Sequence, residues 1–183
     1  GESPFILFLN PDASLHPDAL RLCLAFMKDP ENSSVGIVGP EILNAKGQLV
    51  PSCSRLPTRL DLIFRSLGLH VILGGATGYP YLSLADHGSS RYVGQVMGAA
   101  LMIRRPLYDA VQGFDESFFL YYEDVDLCAR AFAKGGRCYY LKEAHVTHIG
   151  RVSSSQDSGF SLALHMRSRH TYARLHFGLA AQA

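Results

Sequence analysis

Long apolar runs are missing from this sequence. The longest uninterrupted stretches fall well short of the ~18 residues that suggest a membrane-spanning helix, and Gly1-Glu2-Ser3-Pro4 has neither the basic nor the apolar region of a secretory signal. The chain itself is therefore not expected to cross a membrane. An excess of one charge is missing too. Lys and Arg number 17 against 16 Asp and Glu, a formal net charge of +1, and no Lys/Arg run stands out before the scattered Arg and His near the end. That gives no basis for bulk attraction to nucleic acid, so partners must be argued locally. The four cysteines, Cys23, Cys53, Cys128 and Cys138, are far apart with no C-x-x-C pair. They read as reduced core thiols in a cytosolic compartment rather than a disulfide frame or a zinc knuckle. Internal repeats and low-complexity tracts are absent as well.

What is present suffices for one good core: 183 residues, 48% of them apolar, with an ordinary charged fraction that argues against disorder. Phe5 to Leu9 is a continuous apolar run closed by Asn10-Pro11-Asp12, which predicts a central strand, buried on both faces and ending in a turn. Pro17 opens a helix over Asp18 to Lys28 with Leu20, Leu24 and Met27 on one side, and Val35 to Val38 reads as the next strand. Strand, helix, strand implies an α/β unit with a parallel pair. A hairpin over 41–50 follows, then a short helix over 58–67 with Leu60, Ile63, Phe64 and Leu67 inward. The Gly-, Ser-, Tyr- and His-rich stretch from Gly74 to Ser90 predicts a long functional loop. Strand character resumes over Tyr92 to Ile103, where Gly94, Gly98, Ala99 and Ala100 are small enough for a ligand or backbone to approach. Two short strands, 137–141 and 146–149, lead through a polar connection to a final helix over 160–177.

The most informative segment is Gly113-Phe-Asp-Glu-Ser-Phe-Phe-Leu-Tyr-Tyr-Glu-Asp-Val-Asp-Leu127, which brings Glu123 and Asp124 off an aromatic approach and into a helical first turn. Two readings stand. The helix macrodipole favours carboxylates there as simple caps. An aromatic wall that partly desolvates them would raise their proton affinity while the helix end lowers it, a balance that suits a general base. Asp12, at a strand's carboxyl end, is placed to hold a cation, although Asn-Pro-Asp is also an ordinary turn sequence. His145 and His148 are three apart on a strand and so face opposite ways; at most one shares a site with Asp12.

Together, Asn10-Pro11-Asp12, the small-residue segment Gly98-Ala-Ala-Leu-Met-Ile-Arg-Arg105, Gly113-Phe-Asp-Glu116 with Phe118-Phe119, Glu123-Asp124 and His148-Ile-Gly-Arg-Val-Ser153 resemble the inverting GT-A glycosyltransferases of family 2, rhamnosyltransferase type. The resemblance runs nearly the whole length. It implies that Asp12 and His148 hold Mg²⁺ or Mn²⁺ on the donor diphosphate and that Asn10 contacts donor sugar or ribose. It makes Asp124 the catalytic base beside Glu123. It further implies a nucleoside-diphosphate sugar donor, rhamnose by likeness, a saccharide or polyprenyl-linked glycan acceptor, and a place in cell wall or polysaccharide biosynthesis. Asp115 and Glu116 either shape the acceptor side or act as turn and capping residues.

The fold expected on this basis is α/β: a GT-A-like, Rossmann-like mixed sheet flanked by helices and incomplete at its N-terminus. Enzymes of this kind carry a β/α half before the metal motif that binds base and ribose. Residues 1–183 are thus expected to be the C-terminal part of such a domain, with an unpaired edge on the first strand. A shortened, non-catalytic remnant that binds sugar phosphate or pairs into a homo-oligomer is the alternative, and a metal-dependent hydrolase on Asp12, Asp124 and His148 a third. The last helix, with Arg167, Arg169, Arg174, His165, His170 and His176 among apolar residues, packs one face on the domain, lies on an anionic membrane surface or holds a lipid-linked pyrophosphate acceptor. The implied location is cytoplasmic, peripheral at the inner face of the plasma membrane.

Overall fold

A computed structural model describes residues 3–67, 84–150 and 158–178. The strands are β1 (Phe5–Leu9), β2 (Ala13–Leu15), β3 (Val35–Leu43), β4 (Leu49–Val50), β5 (Cys53–Ser54), β6 (Arg91–Val93), β7 (Gln95–Val96), β8 (Ala100–Arg104) and β9 (Arg137–His148). The helices are α1 (Ala19–Lys28), α2 (Arg59–Ser66), α3 (Arg105–Ala110), α4 (Glu123–Ala133) and α5 (Ser158–Phe177). A mixed sheet runs β1-β8-β3-β9-β2, with β4 beside β3 and β6 beside β9; β5 and β7 form a small second sheet. This is the mixed sheet flanked by helices that the family resemblance implies.

Alternation along the strands sets the two faces. Ile37, Leu101 and Ile103 point toward α4, where they meet Leu127, Cys128 and Ala131. Val38 and Met102 point the other way, against Ala19, Cys23 and Met27 of α1, and Val35 joins them because the strand is irregular between Val35 and Ile37. All four cysteines are buried free thiols, as expected, and burial pushes the Cys23 thiol up to about 11.

Several expectations are corrected. β1 is not central: it pairs antiparallel with β8 on one side and with no strand on the other among the described residues, and it is only half-buried. β1 and β3 do run the same way, but β8 lies antiparallel between them, so the parallel neighbour of β3 is β9. On α1 the buried stripe is Ala19, Cys23 and Met27, spaced four apart, and Leu20 is exposed. On α2 the inward residue is Leu62, with Leu60 and Leu67 in solvent. A capping box between Thr58 and Asp61 starts that helix, and the buried Asp61 carboxylate also takes a fork of hydrogen bonds from Arg55, which holds Asp61 and its neighbour Leu62 on the buried side. The two short strands near residue 140 are one strand, β9, continued through a bulge where Pro40 pairs with Leu141 and Glu41 with His145. The hairpin is β3 to β4, its turn closed by the Asn44 side chain accepting from the Lys46 and Gln48 N–H groups. The stretch over 92–103 is broken at Gly94 and again before Ala100 into β6, β7 and β8. Of the long loop, residues 74–83 lie outside the described residues.

Candidate active site

The carboxyl ends of β1 and β9 and the start of β8 meet at one end of the sheet. Beyond Leu9, the Asn10 N–H donates to the Ala99 carbonyl (2.9 Å), tying the end of β1 to the residue before β8. The Asn10 carbonyl accepts from the Ala13 N–H (3.0 Å), closing a turn into β2. Within that turn Asp12 projects toward β9, its carbonyl accepting from the Ile149 N–H (3.1 Å) and its Oδ1 lying 3.1 Å from His148 Nε2. Alternation sends His145 the other way, to Glu41 Oε2 at 3.2 Å. One histidine, and only His148 of the two, accompanies Asp12, as strand geometry requires.

The second half of the site is the start of α4. Tyr121 and Tyr122 both sit in the left-handed region (φ 68° each), a costly conformation for aromatic residues, and they turn the chain sharply into the helix. Tyr122 is buried and packs on His165 and Tyr172 of α5, which holds the turn in place. The sequence carries no glycine or asparagine there to announce it. Next, Asp124 Oδ2 accepts from the Gly98 N–H and Oδ1 from the Val125 N–H, each at 2.8 Å. A methyl group on Gly98 would lie 3.2 Å from the Asp124 Cβ, so the small residue lets the helix start come close to β8.

Glu123 faces a pocket of about 220 Å³ lined by Phe8, Leu9, Asn10, Gly98 and Phe114. Its Oε2 is buried with no hydrogen-bond partner among the described residues. Burial, and then the adjacent Asp124 charge, pushes the Glu123 carboxyl up to about 7. Burial also raises Asp124, against the pull of its backbone N–H partners. Burial therefore outweighs the helix end for both carboxyls, and the capping reading does not account for an unbonded buried oxygen.

Not every expected residue gathers here. Asn10 and Glu123 share the pocket, and Gly98 links it to Asp124; Asp12 and His148 pair beside it and do not line it. Of the aromatic approach, Phe114 forms the wall and Phe118 is buried, but Phe119 is 78% exposed. Asp115 is a turn residue: the Ser117 side chain and then its N–H (2.8 Å) hold its carboxyl below the usual range. Glu116 lines a separate, shallow hollow of about 540 Å³ with Tyr108, Asp109 and Gln112. Sequence reading also missed a buried network behind the site. Asp126, 1% exposed, accepts from Arg130 Nε (2.7 Å) and lies 2.7 Å from His176 Nε2 of α5. Arg130 Nη1 donates to the Val111 and Gly113 carbonyls at the foot of the loop carrying Phe114. The i, i+4 spacing of Asp126 and Arg130 was the available signal.

Among the described residues no group of three His, Cys, Asp or Glu side chains is placed to hold a metal. The Asp12 and His148 pair still fits a cation of the Mg²⁺ or Mn²⁺ kind, which commonly takes one or two protein ligands and completes its shell from phosphate oxygens and water.

The sequence model of glycosyl transferase family group 2 matches residues 5–181. The chain belongs to this family. It is 31% identical over 176 residues to an N-acetylglucosaminyl-diphospho-decaprenol L-rhamnosyltransferase of Mycobacterium tuberculosis, covering 92% of this chain and 54% of that protein. It is 26% identical to rhamnosyltransferase WbbL of Escherichia coli over 93% of this chain and 62% of that protein. A low-salt glycan biosynthesis hexosyltransferase, Agl10 of Haloferax volcanii, is 27% identical over 90% and 48%. This family 2 chain thus spans about half the length of the curated relatives it matches. Among solved structures, GalNAc-T7 with UDP, GalNAc and Mn²⁺ superposes with a TM-score of 0.50 at 11% identity, over 82% of this chain and 28% of that one. At that identity the likeness speaks for the fold.

Proposed function

We propose that this family 2 chain carries the acceptor-side carboxylates and the metal motif of an inverting glycosyltransferase. It would move a sugar, with rhamnose the one to test first, from a nucleoside-diphosphate donor to a glycan or lipid-linked glycan. The single observation that carries the reading is the Glu123-Asp124 pair: two adjacent carboxyls with raised proton affinity, one anchored on the Gly98 N–H and the other facing the pocket that Asn10 lines. A pair used only for capping gains nothing from burial.

In this reading the acceptor hydroxyl oxygen attacks the anomeric carbon as its proton passes to Asp124, and the bond to the nucleoside diphosphate breaks on the opposite side. One in-line displacement inverts the centre through an oxocarbenium-like transition state and needs no covalent intermediate. Asp124 is the better base because two backbone N–H groups fix its direction; Glu123, close to half-protonated near neutral pH, hydrogen-bonds substrate in the pocket. Asp12 and His148 would hold the divalent cation, which when bound neutralises charge on the departing diphosphate. The sugar-contacting role falls to Asn10, a neutral hydrogen-bonding side chain at the pocket. Two of the relatives' names support a saccharide acceptor, two rhamnose transfer, and one a decaprenol-linked acceptor, which would put the work at the cytoplasmic face of a membrane.

The test is transfer from dTDP-rhamnose to a polyprenyl-diphosphate-linked N-acetylglucosamine by wild type, Asp124→Asn and Glu123→Gln. Loss of at least about 10²-fold in kcat is expected for Asp124→Asn, with near-native circular dichroism, and a smaller loss for Glu123→Gln. Wild-type turnover by Asp124→Asn with an inert Glu123→Gln would hand the base role to Glu123. A wild type inert with every nucleotide sugar tried would favour the non-catalytic reading.

A further inference from the structure

The C-terminal helix α5 contains no Asp or Glu in its twenty residues. Its inner face is accounted for: Tyr172 and Ala173 pack with Leu62 of α2 and with Tyr122 and Val125 of the catalytic segment. Ser168 Oγ donates to the Leu120 carbonyl at 2.6 Å. The outer face is unusual for a helix already seated on a core. Leu162, Met166, His170 and Arg174 recur every four residues and are all exposed, with exposed Arg167 beside them. Such a spacing draws one stripe along a helix, apolar in its first half and basic in its second. Leu162 is 62% exposed and Met166 52%. Neither Arg167 nor Arg174 makes an ion pair among the described residues. α2, packed alongside, adds exposed Leu60, Leu67 and Arg59.

We propose that the outer face of α5, with the adjoining exposed side chains of α2, docks on an anionic lipid surface. Apolar side chains beside arginines, with no acid on α5 itself though Asp115 lies near Arg174, match the acyl boundary and phosphate layer of such a surface, and long Arg side chains extend their charge to the headgroups. The other occupant to consider is a second copy of the chain. Face to face, two α5 helices set Arg174 against Leu162 when antiparallel and against itself when parallel, and with no carboxylate on the helix either arrangement buries charge uncompensated. The lipid surface satisfies both halves of the stripe at once. Docking this way would hold α4, which α5 grips through Asp126 and His176, at a fixed depth below the membrane. The inference deepens the lipid-linked-acceptor reading and rests on it for its purpose, but not for its test.

The test is co-sedimentation of the full chain with phosphatidylcholine vesicles, with and without phosphatidylglycerol, for wild type, Arg167→Glu/Arg174→Glu and Leu162→Gln/Met166→Gln. Wild type should bind the anionic vesicles, release with salt, and lose at least about tenfold in affinity on charge reversal, since each basic residue near such a surface is worth about fivefold. The apolar pair should weaken binding with its salt dependence retained. Circular dichroism confirms that the variants fold, and Arg167→Gln/Arg174→Gln, falling between wild type and the reversed form, separates charge from helix damage. Binding that ignores both charge variants, or no binding by wild type, overturns the proposal. So does a concentration-dependent dimer in sedimentation that Met166→Gln dissolves. The vesicles carry no acceptor, so binding is read apart from transfer: a chain that binds them yet stays inert in the transfer assay with dTDP-rhamnose and the lipid-linked acceptor counts against the transferase reading and leaves this one standing.

Discussion

Glu123 is a costly residue. Its carboxyl, lifted to about 7 by burial and by the Asp124 charge, titrates well above the ~4.3 of an unfolded glutamate. The native state therefore keeps a proton that the unfolded chain has released, so stability falls as pH rises from about 4 to about 7 and is level beyond it. Glu123→Gln removes that share. It should leave unfolding in urea unchanged near pH 4 and raise stability by roughly 1–3 kcal/mol at pH 8, while lowering transfer. An equal gain at both pH values would mean that packing rather than charge is relieved, and no gain would mean that the carboxylate ionises without penalty. The sequence makes this residue legible as a site candidate, because adjacent acids after an aromatic run are rare. What it does not reveal is which of the two faces the pocket. That is decided by Tyr121 and Tyr122 in left-handed conformation, for which neither tyrosine carries a local signal.

At the scale of elements, α4 and α5 act as one unit through Asp126. Its carboxylate is almost wholly buried yet serves Arg130 within its own helix and His176 across the interface, where His176 also stacks on Tyr172 at 4.3 Å between centroids. Arg130 carries the connection on to the carbonyls below Phe114, where Gln112 and Gly113 turn in left-handed conformation. Removing the carboxylate strands a partly buried guanidinium, so Asp126→Ala should cost about 3–5 kcal/mol in denaturant unfolding. His176→Ala should cost less, about 1–3 kcal/mol, since Arg130 still satisfies the acid. If the two variants cost the same, α5 rather than Arg130 is the main partner. The helix over Arg105–Ala110 was not foreseen, but the ends of α1, α2 and α5 were legible within two residues, with Pro17 and Thr58 marking two of the starts. Their inward faces were less so. Leu20, Leu60 and Leu67 lie outward because interaction with β9, β3 and the Arg55-Asp61 fork chooses the buried stripe, and those partners are distant in sequence.

At the scale of the molecule, the order of motifs was legible and the order of strands was not. Asn10-Pro11-Asp12, Gly98, Glu123-Asp124 and His148 are each local signatures, and the sheet brings them to one end, with Asp12 and His148 beside the pocket rather than in it. That β8 inserts between β1 and β3 depends on a pairing of Phe5 with Arg104 and of Ile37 with Ile103, which no local pattern encodes. The resulting layout makes a demand on Asp12. As proposed metal ligands, Asp12 and His148 would supply only two positions beside the pocket, and a diphosphate held there would have to bring further oxygens of the metal's shell. Nucleotide and metal should accordingly bind together or weakly. Calorimetric titration of the chain with dTDP and with UDP should show affinity that depends on Mn²⁺, and Asp12→Ala should weaken it by at least about tenfold, the scale on which even residues behind a metal's ligands act. The Mn²⁺-free affinity should be unaffected by the substitution. Equal Mn²⁺-dependent affinity in wild type and Asp12→Ala would remove Asp12 from the metal role, and the search would move to Asn10 and Glu123 at the pocket itself.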